Sequence, residues 1–301
     1  MIWQIPVFLR ILTANVAGPF LMKRVVSRGS LTRKLVWQYS FCFLISLVWP
    51  SVSLLRGEGF RFDLAALMIL LVGAFNGFAC YCQWRAVHIS LSKTSMFTLL
   101  DDLLALLLGY VFLGEQRYLS PLLSVGVLFS LSAVALFSFS KARRQRTKET
   151  QPVGRIAPLA IWILLYSAIW GGALFSMRYF GLTGVTVANY VLFWYGGSLI
   201  GAVLVRQTFG KGEGEELLAW KEVALVGQLT VAIWLSLASA YWSMTLAPII
   251  VVQPIYQVAE MVLPTIIGLT VFKEAANLRA LEKAAMAVGL IGGLVIAISF
   301  R

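Results

Sequence analysis

The chain is poor in charge. Only 13% of its 301 residues are Asp, Glu, Lys or Arg, about half the share of an ordinary soluble domain. It holds a single histidine and three cysteines, which leaves little from which to build a Cys/His zinc site. Cys80 and Cys82 stand two apart, so on a helix they turn to different faces and a disulfide between them is disfavoured. Both, with Cys42, fall inside apolar runs and read as small buried hydrophobes. No P-loop is present, so ATP is not the evident energy source. The H-E-x-x-H pair of metalloproteases and the G-x-G-D motif of intramembrane aspartyl proteases are absent as well. With no catalytic constellation an enzyme is not expected, and neither is a cofactor or a metal.

What fills the space is apolar: 59% of the residues are hydrophobic and the mean hydropathy is +0.84. This predicts an integral membrane protein, multi-pass, of the cytoplasmic membrane if the cell is bacterial. A spanning helix needs about 20 mostly apolar residues. Ten such segments fit, at roughly 2–22, 35–55, 64–86, 94–113, 119–140, 157–178, 186–206, 222–244, 248–272 and 278–300. The runs are continuous and do not alternate, which favours helices over barrel strands. Residues 2–22 read as a first span and not as a cleaved leader, because no basic stretch precedes them and Arg10 interrupts the apolar run.

The net charge of +12 raises the question of nucleic acid, and position answers it. The basic residues sit in short loops between apolar spans, where they set topology and meet anionic lipid. Nineteen of the 25 lie in loops after odd-numbered spans. Five (Arg56, Arg61, Arg117, Arg178 and Arg301) lie on the other side, and Arg10 is inside a span. By the positive-inside rule the odd loops are cytoplasmic and both termini are outside.

Two distant segments share a plan. Residues 96–115 read MFTLLDDLLALLLGYVFLGE and residues 255–274 read IYQVAEMVLPTIIGLTVFKE. A shift of 159 residues pairs Glu115 with Glu274, Gly109 with Gly268 and Asp101 with Glu260, and also Thr94 with Gln253 and Thr98 with Gln257. Each copy carries polar, polar, acid at i, i+4, i+7, one stripe of a helix. The polar segment 141–155, KARRQRTKETQPVGR, divides the chain into a first repeat (1–140) and a second (156–301), each of five spans. Five is odd, so the second repeat enters the membrane in the opposite sense. The expected fold is all-α: ten transmembrane helices in two inverted five-helix repeats, with a polar site between the halves.

The run from Ala86 to Glu115, closing in Leu113-Gly114-Glu115, is followed by a span with Gly126. The second half repeats this with Lys273-Glu274, then Gly289, Gly292 and Gly293. Over nearly its whole length the chain resembles the EamA-type transporters of the drug/metabolite transporter superfamily. The resemblance implies alternating-access transport of a small metabolite, amino acid, drug or sugar conjugate, through a cavity lined by helices 3, 4, 8 and 9 with contributions from 1 and 6. Asp102 stands where that family's helix 4 usually carries a proline. Family members usually keep their termini in the cytoplasm, the reverse of the charge count.

Asp101 and Asp102 are the leading candidates, because a charge in mid-span costs about 2.5–3.5 kcal/mol on insertion scales. That cost argues for a water-filled cavity, a basic partner such as Arg10, Arg85 or His88, or a neutral, protonated acid. The two neighbours are about 100° apart on a helix, and the repeat pattern favours Asp101 as the one facing the cavity. Glu260, with Gln253 and Gln257 on its face, is the counterpart; the amides fix a polar solute or serve as interhelical glue. Thr98 belongs to the same pattern in the first copy. Asn76 and Gln83 share a face of helix 3. Arg10 is too deep for easy snorkelling, and either binds an anionic group or neutralises an acid. Tyr166 and Trp170, four apart, stack on a solute or pack the interior. Glu115 and Glu274, at span ends, are expected to pair with bases or cap helices. Gly171-Gly172, Gly196-Gly197 and Gly292-Gly293 are expected to allow close helix contact.

The leading expectation is a secondary carrier for a cationic or zwitterionic solute, an exporter coupled to protons at these acids. A flippase for a lipid or lipid-linked sugar is the alternative, and an intramembrane hydrolase a distant third. The expected partners are a small solute and membrane lipid, with a homodimer as a further option and no nucleic acid.

Overall fold

The computed structural model describes residues 2–26, 30–55, 62–89, 99–148, 156–211, 218–270 and 280–300. Among these residues the chain is helical, with no strand. Ten helices follow one another: α1 (Gln4–Val26), α2 (Leu31–Leu55), α3 (Leu64–Ile89), α4 (Leu99–Phe112), α5 (Pro121–Lys148), α6 (Ile156–Leu182), α7 (Val187–Phe209), α8 (Trp220–Leu246), α9 (Ile249–Thr270) and α10 (Ala280–Ser299). Five are long and apolar enough to cross a membrane: Gln4–Val26, Leu64–Ala86, Val187–Phe209, Trp220–Leu246 and Ala280–Ser299.

The breaks follow local chemistry. Ala247 is extended (φ −139°, ψ 151°) because Pro248 follows it, and that stops α8 where the sequence predicts. Gly114 sits at φ 63° and Gly184 at φ 81°, left-handed turns that glycine enters without a Cβ penalty. The start of the 141–155 segment is helical, since α5 runs on to Lys148. Its Lys, Arg and Gln residues are good helix formers, and no proline intervenes before Pro152. Within α1 the residues Ile11–Ala17 form a π-helical turn, directly after Arg10.

Two glycine seams set the closest packing. On α3, Gly73 and Gly77 form a GxxxG pair, and on α7 Gly197 and Gly201 form another. A Cβ on Gly73 would strike the Trp194 carbonyl, one on Gly197 the Leu70 carbonyl, and one on Gly201 the Ala74 carbonyl. Register rises together along both helices, so α3 and α7 run parallel. Gly126 of α5 and Gly292 of α10 form the second seam. A Cβ there would lie 3.0 Å from the Ile296 nitrogen and 2.8 Å from the Ser130 nitrogen, respectively. Here register falls on one helix as it rises on the other, so α5 and α10 are antiparallel. Two of the expected glycine pairs split, Gly171 and Gly292 pressing on a neighbour while Gly172 and Gly293 have open space at the Cβ; in the third, Gly197 meets backbone and a Cβ on Gly196 would lie 3.3 Å from the Phe43 ring. The α3 pair escaped the sequence reading.

Some packing recurs when each helix n is exchanged for n+5: α3–α6, α4–α6 and α3–α7 correspond to α8–α1, α9–α1 and α8–α2, whereas α5–α9, α6–α8 and α9–α10 have no counterpart of like extent among the described residues. Large apolar side chains such as Leu107, Phe112, Leu128, Phe139, Leu290 and Leu294 face outward, while Asp101, Asp102, Asn76, Gln253 and Gln257 are buried. This distribution is the reverse of that in a soluble protein. Cys42, Cys80 and Cys82 are buried and unbridged.

A bulky side chain in the α3–α7 seam cannot be absorbed by rotamer change, because the obstacle is backbone. Gly197→Leu is expected to abolish the monodisperse peak in detergent gel filtration. Gly172→Ala is expected to keep it and to gain helix propensity worth about 0.5–1 kcal/mol. Equal behaviour of the two variants would refute the seam.

Candidate functional site

Asp101 and Asp102 lie in the first described turn of α4, at 3% and 6% exposure. Helix α6 comes flush against them, since a Cβ on Gly171 would sit 2.7 Å from the Asp101 carbonyl oxygen. On the other side stands α9. Gln253 of α9 donates from Nε2 to Asp102 Oδ1. Gln257, one turn on, approaches the same carboxylate closely enough to act on it, although neither amide atom meets a partner in good hydrogen-bond geometry. The repeat pattern favoured Asp101 as the residue facing a cavity; the bond from α9 goes to its neighbour Asp102. Asp101 keeps an unpartnered Oδ1.

Glu260 is the accessible member of the group. Asp101, Asp102 and Arg10 lie within reach of its charge. Arg10 of α1 stands across from it, half-buried, with Nη1 donating to Ser236 Oγ at 3.1 Å and the guanidinium 4.6 Å from the Tyr256 ring centre. A cation over an aromatic face is held without a counter-ion. The Tyr256 hydroxyl is 2.8 Å from that of Ser243. Ser236, Ser243 and Tyr256 were not foreseen; serines and tyrosines inside apolar helices are too common to stand out.

A third wall comes from α3 and α6. Gln83 Nε2 donates to the Tyr166 hydroxyl at 3.3 Å, and Tyr166 stacks on Trp170 with ring centres 6.4 Å apart. Tyr166 feels the charges of Asp101, Asp102 and Glu260. Of the predicted residues, Arg10, Gln83, Asp101, Asp102, Tyr166, Trp170, Gln253, Gln257 and Glu260 are thus brought to one region. Asn76 is not: it donates to Tyr39 (3.1 Å) and Ser198 (2.9 Å), joining α3 to α2 and α7. Arg85 is exposed and turns to the Tyr81 hydroxyl at 2.9 Å. Thr98, with Thr94, Lys273 and Glu274, lies outside the described residues, as does the side chain of His88.

One end of the bundle is tied beyond this region. Glu115, 1% exposed, accepts from Arg178 Nε at 2.9 Å and from the Ile250 backbone nitrogen at 3.1 Å, while Arg178 Nη1 donates to the Met244 carbonyl at 2.6 Å. Glu115 therefore both pairs with a base and caps α9, and the ends of α4, α6, α8 and α9 converge on it. Arg178 had been counted as a loop base, and its burial at 4% is a property of the packing. At the opposite end Lys34 joins the Val25 carbonyl (2.9 Å) and Glu222 (3.0 Å).

Removing one partner of a buried ion pair strands the other. Glu115→Ala is expected to lower stability by about 3–5 kcal/mol, read as a fall in melting temperature in detergent. Arg178→Met/Glu115→Leu is expected to recover most of that loss. A single variant as stable as the wild type would show that the pair is not a structural tie.

No family model matches the chain, and no curated protein matches it. Solved structures do. One crystal structure superposes with a TM-score of 0.74 at 15% identity, over 99% of this chain and 97% of the other. At that identity what is shared is the fold, which leaves chemistry to be argued from the site.

Proposed function

We propose that the chain is a multi-pass membrane protein of two inverted five-helix repeats, and that it works as a secondary-active carrier of the EamA type. Its solute is small and cationic or zwitterionic, and it moves by alternating access, outward, in exchange for protons. The observation that supports this best is the meeting of Asp101 and Asp102 from one half with Gln253, Gln257 and Glu260 from the other, inside a bundle whose outer face is apolar. Ionisable groups at such depth mark solute and proton paths, and carriers built from repeats bind at the interface between them. The packing that recurs between helices n and n+5 and the 159-residue shift support the repeat.

With the basic loops in the cytoplasm, the Glu115–Arg178 end faces outward and is closed. Rocking one repeat against the other would have to part that tie. Proton exchange at Asp101 and Glu260 would couple the solute to the pH gradient, since a carboxyl inside a bundle carries its charge at a cost that protonation or a bound cation removes.

Export is checked by untargeted metabolite profiling of medium and cells. It would compare overproduced wild type with Asp101→Asn/Glu260→Gln at matched membrane levels. A compound that accumulates outside with the wild type alone is the expected result. Coupling to a pH gradient that survives in the double variant would refute the proton role. A profile without any difference would sink small-metabolite export and turn attention to lipid-linked solutes.

A further inference from the structure

The central cluster holds four buried polar atoms without a protein partner: Asp101 Oδ1, Gln253 Oε1, and Gln257 Oε1 and Nε2. Their side chains are exposed by 3%, 1% and 2%. Each such atom left unpaired costs about 1–3 kcal/mol, so the site is built for something that the protein does not supply. The composition of the set is informative. Gln253 gives its amide N–H to Asp102, which leaves its oxygen as an acceptor. Gln257 offers one acceptor and one donor however its amide is turned. Three acceptors therefore stand against one donor, beside the carboxylates of Asp102 and Glu260. The nearby cation, Arg10, spends its one hydrogen bond to a described residue on Ser236.

We propose that the transported solute presents a primary ammonium group here, its three N–H donors taking Asp101 Oδ1, Gln253 Oε1 and Gln257 Oε1, with the stacked Tyr166–Trp170 pair against its apolar part. This rests on the reading of the cluster as the solute site. A primary ammonium carries three donors and no acceptor, matching the orphan acceptors in number and the carboxylates in sign. A quaternary ammonium answers the charge and leaves every acceptor unpaired. A neutral alcohol brings one donor and no charge. A bare metal ion is poorly served, because no three His, Cys, Asp or Glu side chains converge among the described residues.

The test uses the full chain purified in detergent, with binding read from tryptophan fluorescence and from the melting temperature. Benzylammonium and benzyltrimethylammonium share ring and charge and differ in N–H groups. Benzylammonium is expected to bind at least about tenfold tighter, the discrimination of roughly 1.4 kcal/mol that the loss of hydrogen bonds to buried acceptors brings. Benzamidinium, broader but N–H-bearing, is expected to side with benzylammonium, which separates donor count from size. Gln257→Leu, checked for an unchanged gel-filtration profile, is expected to narrow the preference. Equal binding of the two ammonium probes, tighter binding of the quaternary one, benzamidinium siding with it, or no saturable binding of benzylammonium at millimolar concentration would each overturn the proposal. Counterflow of labelled benzylammonium into proteoliposomes tests the carrier reading apart from this one. Selective binding without flux would sink the carrier and leave the ammonium site. Equal flux of both cations would keep the carrier and sink the ammonium site.

Discussion

Carboxylates inside an apolar bundle are the constraint on which the rest of this structure turns. Asp101 and Asp102 occupy successive positions on α4, so no single neighbouring helix can cover both. The fold answers with two helices. Gly171 lets α6 close to backbone contact at Asp101, and α9 brings an amide to Asp102. Arg10 is near enough for its charge to act on Asp102 and Glu260, while its Nη1 donates to Ser236 and its plane lies over Tyr256.

The frame that holds this cluster comes from residues without chemistry. Where glycines face each other, as along α3 and α7, helices approach until backbone meets backbone, and dispersion and weak polar contacts between the apposed backbones add up along the seam. The same device joins α5 to α10. The polar side chains of the cluster lie on α1, α3, α4, α6 and α9, and α4 is itself pressed to backbone contact by α6 at Gly171.

Much of the frame was legible in the sequence, because hydropathy and helix breaks are local properties. The ten apolar runs and the stop at Ala247-Pro248 follow from residues a few positions apart. The shift that pairs Asp101 with Glu260 named two residues that the fold then brings within reach of each other's charge. What was not legible depends on contacts between distant segments. That Gln253 bonds Asp102 and not Asp101 is set by the rotation of α4 against α9, which a repeat pattern does not encode. Arg178 looks like any base at a span end until α4, α8 and α9 converge on it. Asn76, promising as an amide in mid-span, is consumed by Tyr39 and Ser198. GxxxG on α3 was visible as a string, and only its meeting with a second GxxxG on α7 gives it meaning.

The two halves share a frame but not its contents. At the 159-residue shift Asp102 falls on Met261, Arg10 on Ile169, Gln83 on Trp242, Tyr166 on Val7 and Trp170 on Ile11. Only the acid of the stripe, Asp101 against Glu260, is kept in kind. The first half thus contributes the paired aspartates, Gln83 and the arginine, and the second Glu260, Gln253, Gln257 and the stacked Tyr166–Trp170 pair. A site with exact two-fold symmetry would present the same groups to a solute from both sides and would suit a symmetric ligand. The unequal contents set the paired aspartates, Gln83 and Arg10 of one half against Glu260, two glutamines and the stacked rings of the other. That difference follows from divergence of side chains at positions which the 159-residue shift pairs.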